Sequence, residues 1–508
     1  MELKELTQNI LKIFKIDSHA GLTEQIMKIL ESPRCHDVFN SFLELCPDLS
    51  VDWLQRVYQF YCADRKEKKQ DYTPVTLSKM VAMLTNVKSV KTVYDCCSGS
   101  GSLTIQQWVL HPDSHFVCEE LDENVIPILL FNLAIRNMNA TVIQKNILTG
   151  EVMDHWEIER GNRFSSIRKP MFPIDEGLKG DIAISNPPFN LNMPVREDLK
   201  GGFPKISCNF AFVERCLMRT NSKAVLILPM GVCTSKADSQ FRRRLSELGV
   251  LEAVVQMPER MFESTPVSTC ILVLDKNKSG KGVMLVDASS LGSVEERKQR
   301  GEGDASHYNR IYTKKFNTFT DEQIKAVYAL TKTEQRDFSQ SVSIEELEEH
   351  GFSWSLGQYK EIDPIPNTVH RDFNDVIRDL NRVIRERNVL RISINKVWAK
   401  ELGLNELIDQ CRQSAEISRR LNQSLKFKNY KLTEPILEDA YIKESNSKLF
   451  CIENVDKTRL SSIMPFFMNM WKQHIHFLNN EENRLLVELR DAMIPYLMSG
   501  DLEIAEAL

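Results

Sequence analysis

Between residues 92 and 274 the chain carries a succession of short apolar runs separated by stretches of helical spacing. The runs are Thr92-Val93-Tyr94, Phe116-Val117-Cys118, Thr141-Val142-Ile143, Ile182-Ala183-Ile184, Ala224-Val225-Leu226-Ile227-Leu228, Ala253-Val254-Val255 and Ile271-Leu272-Val273-Leu274. Strands that are apolar on both faces and alternate with helices must be covered on both sides. The fold class expected is therefore α/β, with a mainly parallel seven-stranded, Rossmann-like sheet. A further run, Val283-Met284-Leu285-Val286, would extend it.

The flanks read differently. Leu3, Leu6, Ile10 and Ile13 recur at helical spacing, and the charged segment Asp64-Arg65-Lys66-Glu67-Lys68-Lys69-Gln70 follows as a linker or exposed face. Leu77, Met80, Val81 and Leu84 mark the next helix. Near the end, Phe373, Val376, Ile377, Leu380, Val383 and Ile384 trace one helix face, and Leu485, Leu486, Leu489 and Met493 another. This predicts a helical domain over 1–70, an α/β domain over 71–320 and a helical, coiled-coil-like tail over 321–508. Residues 161–180 read as a surface loop, and 293–309 as a mobile segment.

Charge narrows the function classes. With 65 basic and 70 acidic residues the net is −5, which excludes a globally basic, histone-like binder but leaves room for a local basic groove. No apolar run reaches the roughly 18 residues of a membrane-spanning helix. The start, Met1-Glu2-Leu3-Lys4-Glu5-Leu6, is an amphipathic helix pattern rather than a signal-peptide core, so a cytoplasmic location without membrane contact is expected. None of the twelve cysteines forms a C-x-x-C pair, and they read as reduced apolar fillers with no metal site.

Three motifs carry chemistry. Asp95-Cys96-Cys97-Ser98-Gly99-Ser100-Gly101 follows the first strand directly, and its glycines permit a tight turn and close approach to a ligand. The second strand ends in Glu119-Glu120-Leu121-Asp122, where Glu120 is placed to accept both hydroxyls of a ribose, while Glu119 and Asp122 read as facing solvent. The fourth strand ends in Ser185-Asn186-Pro187-Pro188-Phe189. Consecutive prolines stiffen that backbone and remove two donors, so the Pro187 carbonyl and the Asn186 amide oxygen can both accept from an exocyclic amino group. Phe189 offers a face for a planar base.

Together these motifs resemble an S-adenosylmethionine-dependent amino-group methyltransferase of the N6-adenine DNA class, most closely the modification (M) subunit of type I restriction–modification systems. The likeness covers most of residues 65–360. It includes Asp71-Tyr72-Thr73-Pro74, Leu228-Pro229-Met230-Gly231-Val232, Pro258-Glu259-Arg260-Met261-Phe262 with Ser268-Thr269-Cys270-Ile271-Leu272, and Trp354-Ser355-Leu356-Gly357-Gln358-Tyr359. It implies that Tyr72, Thr73 and Pro74 border the methionine end of the cofactor, that Asp95, Gly99, Ser100, Gly101 and Glu120 bind it, and that Asn186, Pro187, Pro188 and Phe189 are catalytic, with Asn186 also beside the cofactor. Three departures stand out. Asn146 occupies the place where the family usually has an Asp for the cofactor adenine, and it can accept through its carbonyl oxygen without a charge. Cys96 replaces a usual proline. The N-terminal helical region is shorter than in typical members.

The implied reaction transfers a methyl group to N6 of an adenine flipped out of double-stranded DNA. Only about 85 residues separate Gly101 from Asn186, too few for an inserted sequence-reading domain. Target recognition is therefore expected from a separate specificity (S) subunit holding two M chains, with a nuclease (R) subunit where restriction is added. Glu482 to Asp491 and Ile494 to Gly500 resemble the closing helix of a specificity subunit, which suggests packing along that partner. Arg242-Arg243-Arg244 suits either phosphates or a solvated helix face. Competing readings keep the chemistry on protein glutamine, RNA adenine or N4 of cytosine, or make the chain a cofactor-binding scaffold without turnover.

Overall fold

The structure, a computed structural model, describes residues 3–61, 73–171, 177–262, 267–280, 282–300, 311–359, 371–402, 425–427, 474, 476–498 and 502–504. The chain divides into two compact units, Met1–Lys360 and Glu361–Leu508. The boundaries expected near residues 70 and 320 lie inside the first. Among the described residues no helix is long and apolar enough to cross a membrane.

The first unit is built on one sheet. The seven runs read from the sequence form β1 (Thr92–Asp95), β2 (His115–Glu120), β3 (Asn139–Lys145), β6 (Gly180–Ser185), β7 (Thr220–Pro229), β8 (Leu251–Gln256) and β9 (Thr269–Asp275). Four more strands extend the sheet: β4 (Val152–Glu159), β5 (Ser166–Arg168), β10 (Val283–Asp287) and β13 (Ser339–Val342). The order is β13-β10-β8-β9-β7-β6-β1-β2-β3-β4-β5. The pairs β1–β2, β2–β3, β1–β6, β6–β7 and β8–β10 are parallel. β9 runs antiparallel between β7 and β8.

The eleven strands exceed the seven expected, for a physical reason. β4 contains Asp154, His155 and Glu157 and is half exposed beyond β3, so it lacks the two-sided apolar run that marks a central strand. The loop expected over 161–180 contains β5, which pairs with Glu157–Glu159. The segment expected to be mobile begins as β11 (Ser293–Arg300), paired antiparallel with β12 (Ile311–Thr318). Glu295 and Glu296 are exposed on a ribbon held by its backbone ladder; residues 301–310 lie outside the described residues.

The helices α1 (Leu3–Phe14), α2 (Leu22–Leu30), α3 (Cys35–Leu45) and α4 (Trp53–Tyr61) precede α5 (Val75–Thr85), α6 (Ser102–Leu110) and α7 (Ile126–Ile135). α7, Ile-Pro-Ile-Leu-Leu-Phe-Asn-Leu-Ala-Ile, is apolar nearly all round and buried throughout, as a helix between two layers must be. Leu129, Leu130 and Leu133 pack towards the sheet core. Ile128, Phe131 and Ile135 join Leu6, Ile10, Phe14, Phe39 and Phe42 of the N-terminal helices. Phe131 meets Phe14, Phe39 and Phe42 edge-on at 5.5, 4.9 and 5.1 Å.

The sheet's other helices are α8 (Cys208–Arg219), α9 (Ser239–Glu247), α10 (Asp321–Leu330) and α11 (Ile344–Glu349). In the second unit α12 (Phe373–Leu402) pairs with α13 (His476–Met498). Val376, Ile377, Leu380, Val383 and Ile384 meet Leu478, Leu485, Leu489 and Ala492 there, while Phe477, Leu486 and Val487 stay exposed.

Candidate active site

β1 lies mid-sheet, hydrogen-bonded to β2 on one side and β6 on the other. Its carboxyl end is thus a topological switch point, the place where an open α/β sheet leaves a crevice. The loop after it enters α6 through Gly99 at φ 53° and Gly101 at φ 96°. The left-handed φ calls for glycine at 101, and a Cβ there would also press on Leu129 Cδ1 at 3.0 Å.

Asp95 is buried (1% exposed) beneath this loop. The Thr104 hydroxyl donates to its Oδ2 at 2.6 Å, while Oδ1 is buried without a partner. Burial pushes the Asp95 carboxyl up to about 7, against the lowering effect of Thr104. A carboxylate oxygen left unpaired in such a place suits a cationic or donor ligand.

Glu120 turns into the crevice. Its Oε2 accepts from Gly99 N at 2.8 Å, and its Oε1 from the N–H groups of Leu121 and Asp122 at 2.9 and 2.8 Å. Burial raises its pKa against those donors. Glu119 and Asp122 do not face solvent as expected. Adjacent strand residues point to opposite faces, so Glu119 enters the other core, where it pairs with Arg215 of α8 and accepts from the Tyr94 hydroxyl. Asp122 is buried and accepts from Asn124 N at 3.1 Å, closing the turn into α7.

Asn146 follows β3. Its Oδ1 accepts from Leu148 N and Thr149 N at 3.1 and 3.3 Å and so holds the turn towards β4. The oxygen expected to meet an adenine amino group has both lone pairs engaged locally, and the side chain offers a ligand its Nδ2 donor. A cavity of about 420 Å³ spans these strand ends, lined by Cys97, Glu120, Leu121, Asn146, Ile147 and Pro188 among others. That size and mostly apolar lining accommodate a nucleoside.

At the end of β6, Asn186 Nδ2 donates to Thr73 Oγ1 at 2.8 Å. Its Oδ1 is shielded from solvent and accepts no hydrogen bond. Pro187 is buried and Pro188 half-buried. The half-buried Phe189 rests edge-on against Phe262 at 5.8 Å, 88° between planes. Asn190, at φ 54°, exchanges hydrogen bonds with Asn209 at the start of α8, each 3.0 Å. Thr73 is buried, Pro74 leads directly into α5, and Tyr72 lies outside the described residues.

The structure therefore gathers Thr73, Asp95, Gly99, Ser100, Gly101, Glu120, Asn146 and Asn186 to Phe189 at neighbouring strand ends. It takes Arg242 out of reach of a phosphate, while Arg243 stays exposed on the helix face. Arg242 is buried and donates to the carbonyls of Phe352, Val232 and Ser235, anchoring the segment that carries Trp354. Arg243 pairs with Glu247 and Arg244 with Glu214. Sequence reasoning missed Asp52, Gln55 and Asn209, lone polar residues outside any motif.

The profile of the family described as N-6 DNA Methylase matches residues 50–367. The type I restriction enzyme MjaVIII methylase subunit of Methanocaldococcus jannaschii is 25% identical over 357 residues, 66% of this chain and 57% of that protein. The MjaVII methylase subunit of the same organism is 23% identical over 387 residues, 71% of this chain and 65% of that protein. The chain thus spans less than two thirds of the length of these relatives. A type I restriction-modification methyltransferase subunit from Streptococcus thermophilus is 20% identical, with a TM-score of 0.48 covering 71% of this chain and 77% of that one. Since the matched profile runs from the approach to α4 past Trp354 and takes in every strand of the main sheet, the chain belongs to the N-6 DNA methylase family.

Proposed function

We propose that this chain transfers a methyl group from S-adenosylmethionine to N6 of adenine in double-stranded DNA, as the modification subunit of a type I restriction–modification complex. The observation that carries the reading is the state of Asn186: one end of its amide is tied to Thr73, and the other is a solvent-shielded acceptor without a partner.

The residues present fit the cofactor. Asp95 has a buried, unpaired Oδ1; Glu120 Oε1 is taken by two backbone N–H groups, which leaves Oε2, bonded to Gly99 N, to accept from one ribose hydroxyl rather than the two expected; and the apolar cavity has room for a nucleoside. Tyr72, Thr73, Pro74, Gly99, Ser100 and Gly101 would hold its methionine end, and Asn146 its adenine. When bound, the cofactor supplies an electrophilic methyl on a sulfonium. Asn186 Oδ1 and the Pro187 carbonyl would accept from the adenine amino group. Both gain strength as positive charge grows on N6, so they favour the transition state over the ground state. Pro188 keeps the backbone rigid between them and Phe189, which would stack on the base flipped out of the duplex.

The partners proposed are DNA, a specificity subunit carrying the target-reading surface, a second copy of this chain held through that subunit, and a nuclease subunit for restriction. The division of labour proposed is helices over 1–70, chemistry over 71–320 and partner binding over 321–508. The test is co-expression with a specificity subunit from the same genome, then nucleoside mass spectrometry of DNA incubated with labelled cofactor. N6-methyladenine with the parent chain and about 10²–10³-fold slower formation with Asn186→Ala is expected; label in protein, RNA or cytosine would overturn the substrate.

A further inference from the structure

A buried polar strut crosses from the N-terminal helices into the site. Asp52, just ahead of α4, is 3% exposed, and its carboxylate receives four hydrogen bonds. Ser100 Oγ and Ser102 Oγ donate to Oδ2 at 2.6 and 3.3 Å. Gln55 N and Asn132 Nδ2 donate to Oδ1 at 3.0 and 2.9 Å. Asn132 also donates to the Ser100 carbonyl at 2.8 Å, and Arg136 braces it while binding the carbonyls of Leu49 and Val51. The strut continues outward from Gln55, whose buried Nε2 donates to the Thr73 carbonyl at 2.9 Å. Thr73 Oγ1 then accepts from Asn186 Nδ2.

We infer that Asp52 and Gln55 are positioning residues, through which one strut on α4 fixes both the glycine loop at Ser100 and the amide orientation of Asn186. Neither touches a reacting group. A buried carboxylate with every partner a donor is costly to assemble for packing alone, since an apolar residue would fill the space without desolvation. The arrangement instead joins two loops that lie 48 and 18 residues from the strut in sequence. Thr73 has two polar groups on this route: its carbonyl receives Gln55, and its hydroxyl, thereby placed, receives Asn186.

The inference rests on the methyl-transfer reading, and its test separates the two. Gln55→Met removes the donor at similar volume, and Thr73→Val removes the acceptor for Asn186. Each should slow single-turnover methylation about 10–100-fold, and in Gln55→Met, which lies outside the residues proposed to hold the cofactor, cofactor affinity measured by calorimetry should stay within about threefold. The double variant should be no worse than the poorer single, because both break the same route. Ser100→Ala should weaken cofactor binding instead, and Asp52→Asn should show both defects. Gln55→Glu supplies a signature that packing does not: its rate relative to the parent should recover as pH falls, since only the protonated carboxyl can donate to Thr73. Parent-like rates in Gln55→Met, or losses that multiply in the double variant, would overturn the strut. If the parent chain methylates nothing, the functional reading fails, and the strut is read by hydrogen exchange. Gln55→Met must then accelerate the amides of Leu77 and Ser78, which bond to Pro74 just beyond Thr73. Unchanged exchange there rejects it.

Discussion

At Asn186 the two ends of one amide meet different surroundings: the donor end is held by Thr73 and the acceptor end by nothing among the described residues. Replacing it by alanine removes an acceptor aimed at developing charge, and should lower the single-turnover rate by about 10²–10³ while leaving the cofactor dissociation constant within a few-fold. Asn186→Asp keeps an oxygen at both positions, and the Thr73 hydroxyl can turn to donate to it, so its loss should be smaller than that of alanine. Asp95 yields a prediction of another kind. Its ordinary value near 3.8 is pushed up to about 7 in the fold, so between those limits the native state holds a proton that the unfolded chain has released. Stability therefore falls as pH rises through this window and levels off above it. Urea midpoints at about pH 5 and about pH 8 should show that decline in the parent, reduced in Asp95→Asn.

Among the elements, α7 carries the tightest constraint. Its burial on both sides lets the N-terminal helices and the sheet share one row of side chains, with Phe131 at the centre of three aromatic contacts. Phe131→Ala should destabilise the fold by about 3–5 kcal/mol, read from the shift of the denaturant midpoint. Because Asn132 and Arg136 lie on and just beyond the same helix and brace Asp52, loosening this contact should also raise the cofactor dissociation constant, whereas an equally destabilising change far from α7 should not. β4 and β11 teach the complementary lesson. β11 is almost wholly polar and is held by its backbone ladder in a ribbon, while β4, next to the sheet edge, alternates the buried Trp156 and Ile158 with Glu157 and Glu159; neither shows the two-sided apolar run that marks a central strand.

For the whole molecule, the sheet order puts the ends of β1, β2, β3 and β6 side by side and so assembles the candidate site from segments spread over about 115 residues. In the second unit, Leu485 and Leu489 of α13 are covered by α12, while Phe477, Leu486 and Val487 are exposed apolar residues among those of the helix whose side chains are described. If the tail binds a specificity subunit as proposed, Leu486→Glu with Val487→Glu should reduce co-purification with that subunit and leave the helix content of the chain unchanged by circular dichroism. Undiminished co-purification would exclude this face from the interface.

What the sequence by itself determined is the local chemistry: strand runs apolar on both faces, glycines at Gly99 and Gly101 where the backbone turns left-handed, and Asn186-Pro187-Pro188-Phe189 as a stiff acceptor-and-ring motif. These are legible because side-chain period and backbone freedom are properties of neighbouring residues. Only the tertiary structure decided that Glu120 faces the crevice while Glu119 meets Arg215, that Asn146 spends its oxygen on a turn, that Arg242 anchors a segment instead of meeting phosphate, and that Asp52 and Thr73 reach Ser100 and Asn186. Each of those outcomes is a choice of partner across tens of residues, and a sequence pattern encodes which side of an element is buried, not which distant donor will be waiting there.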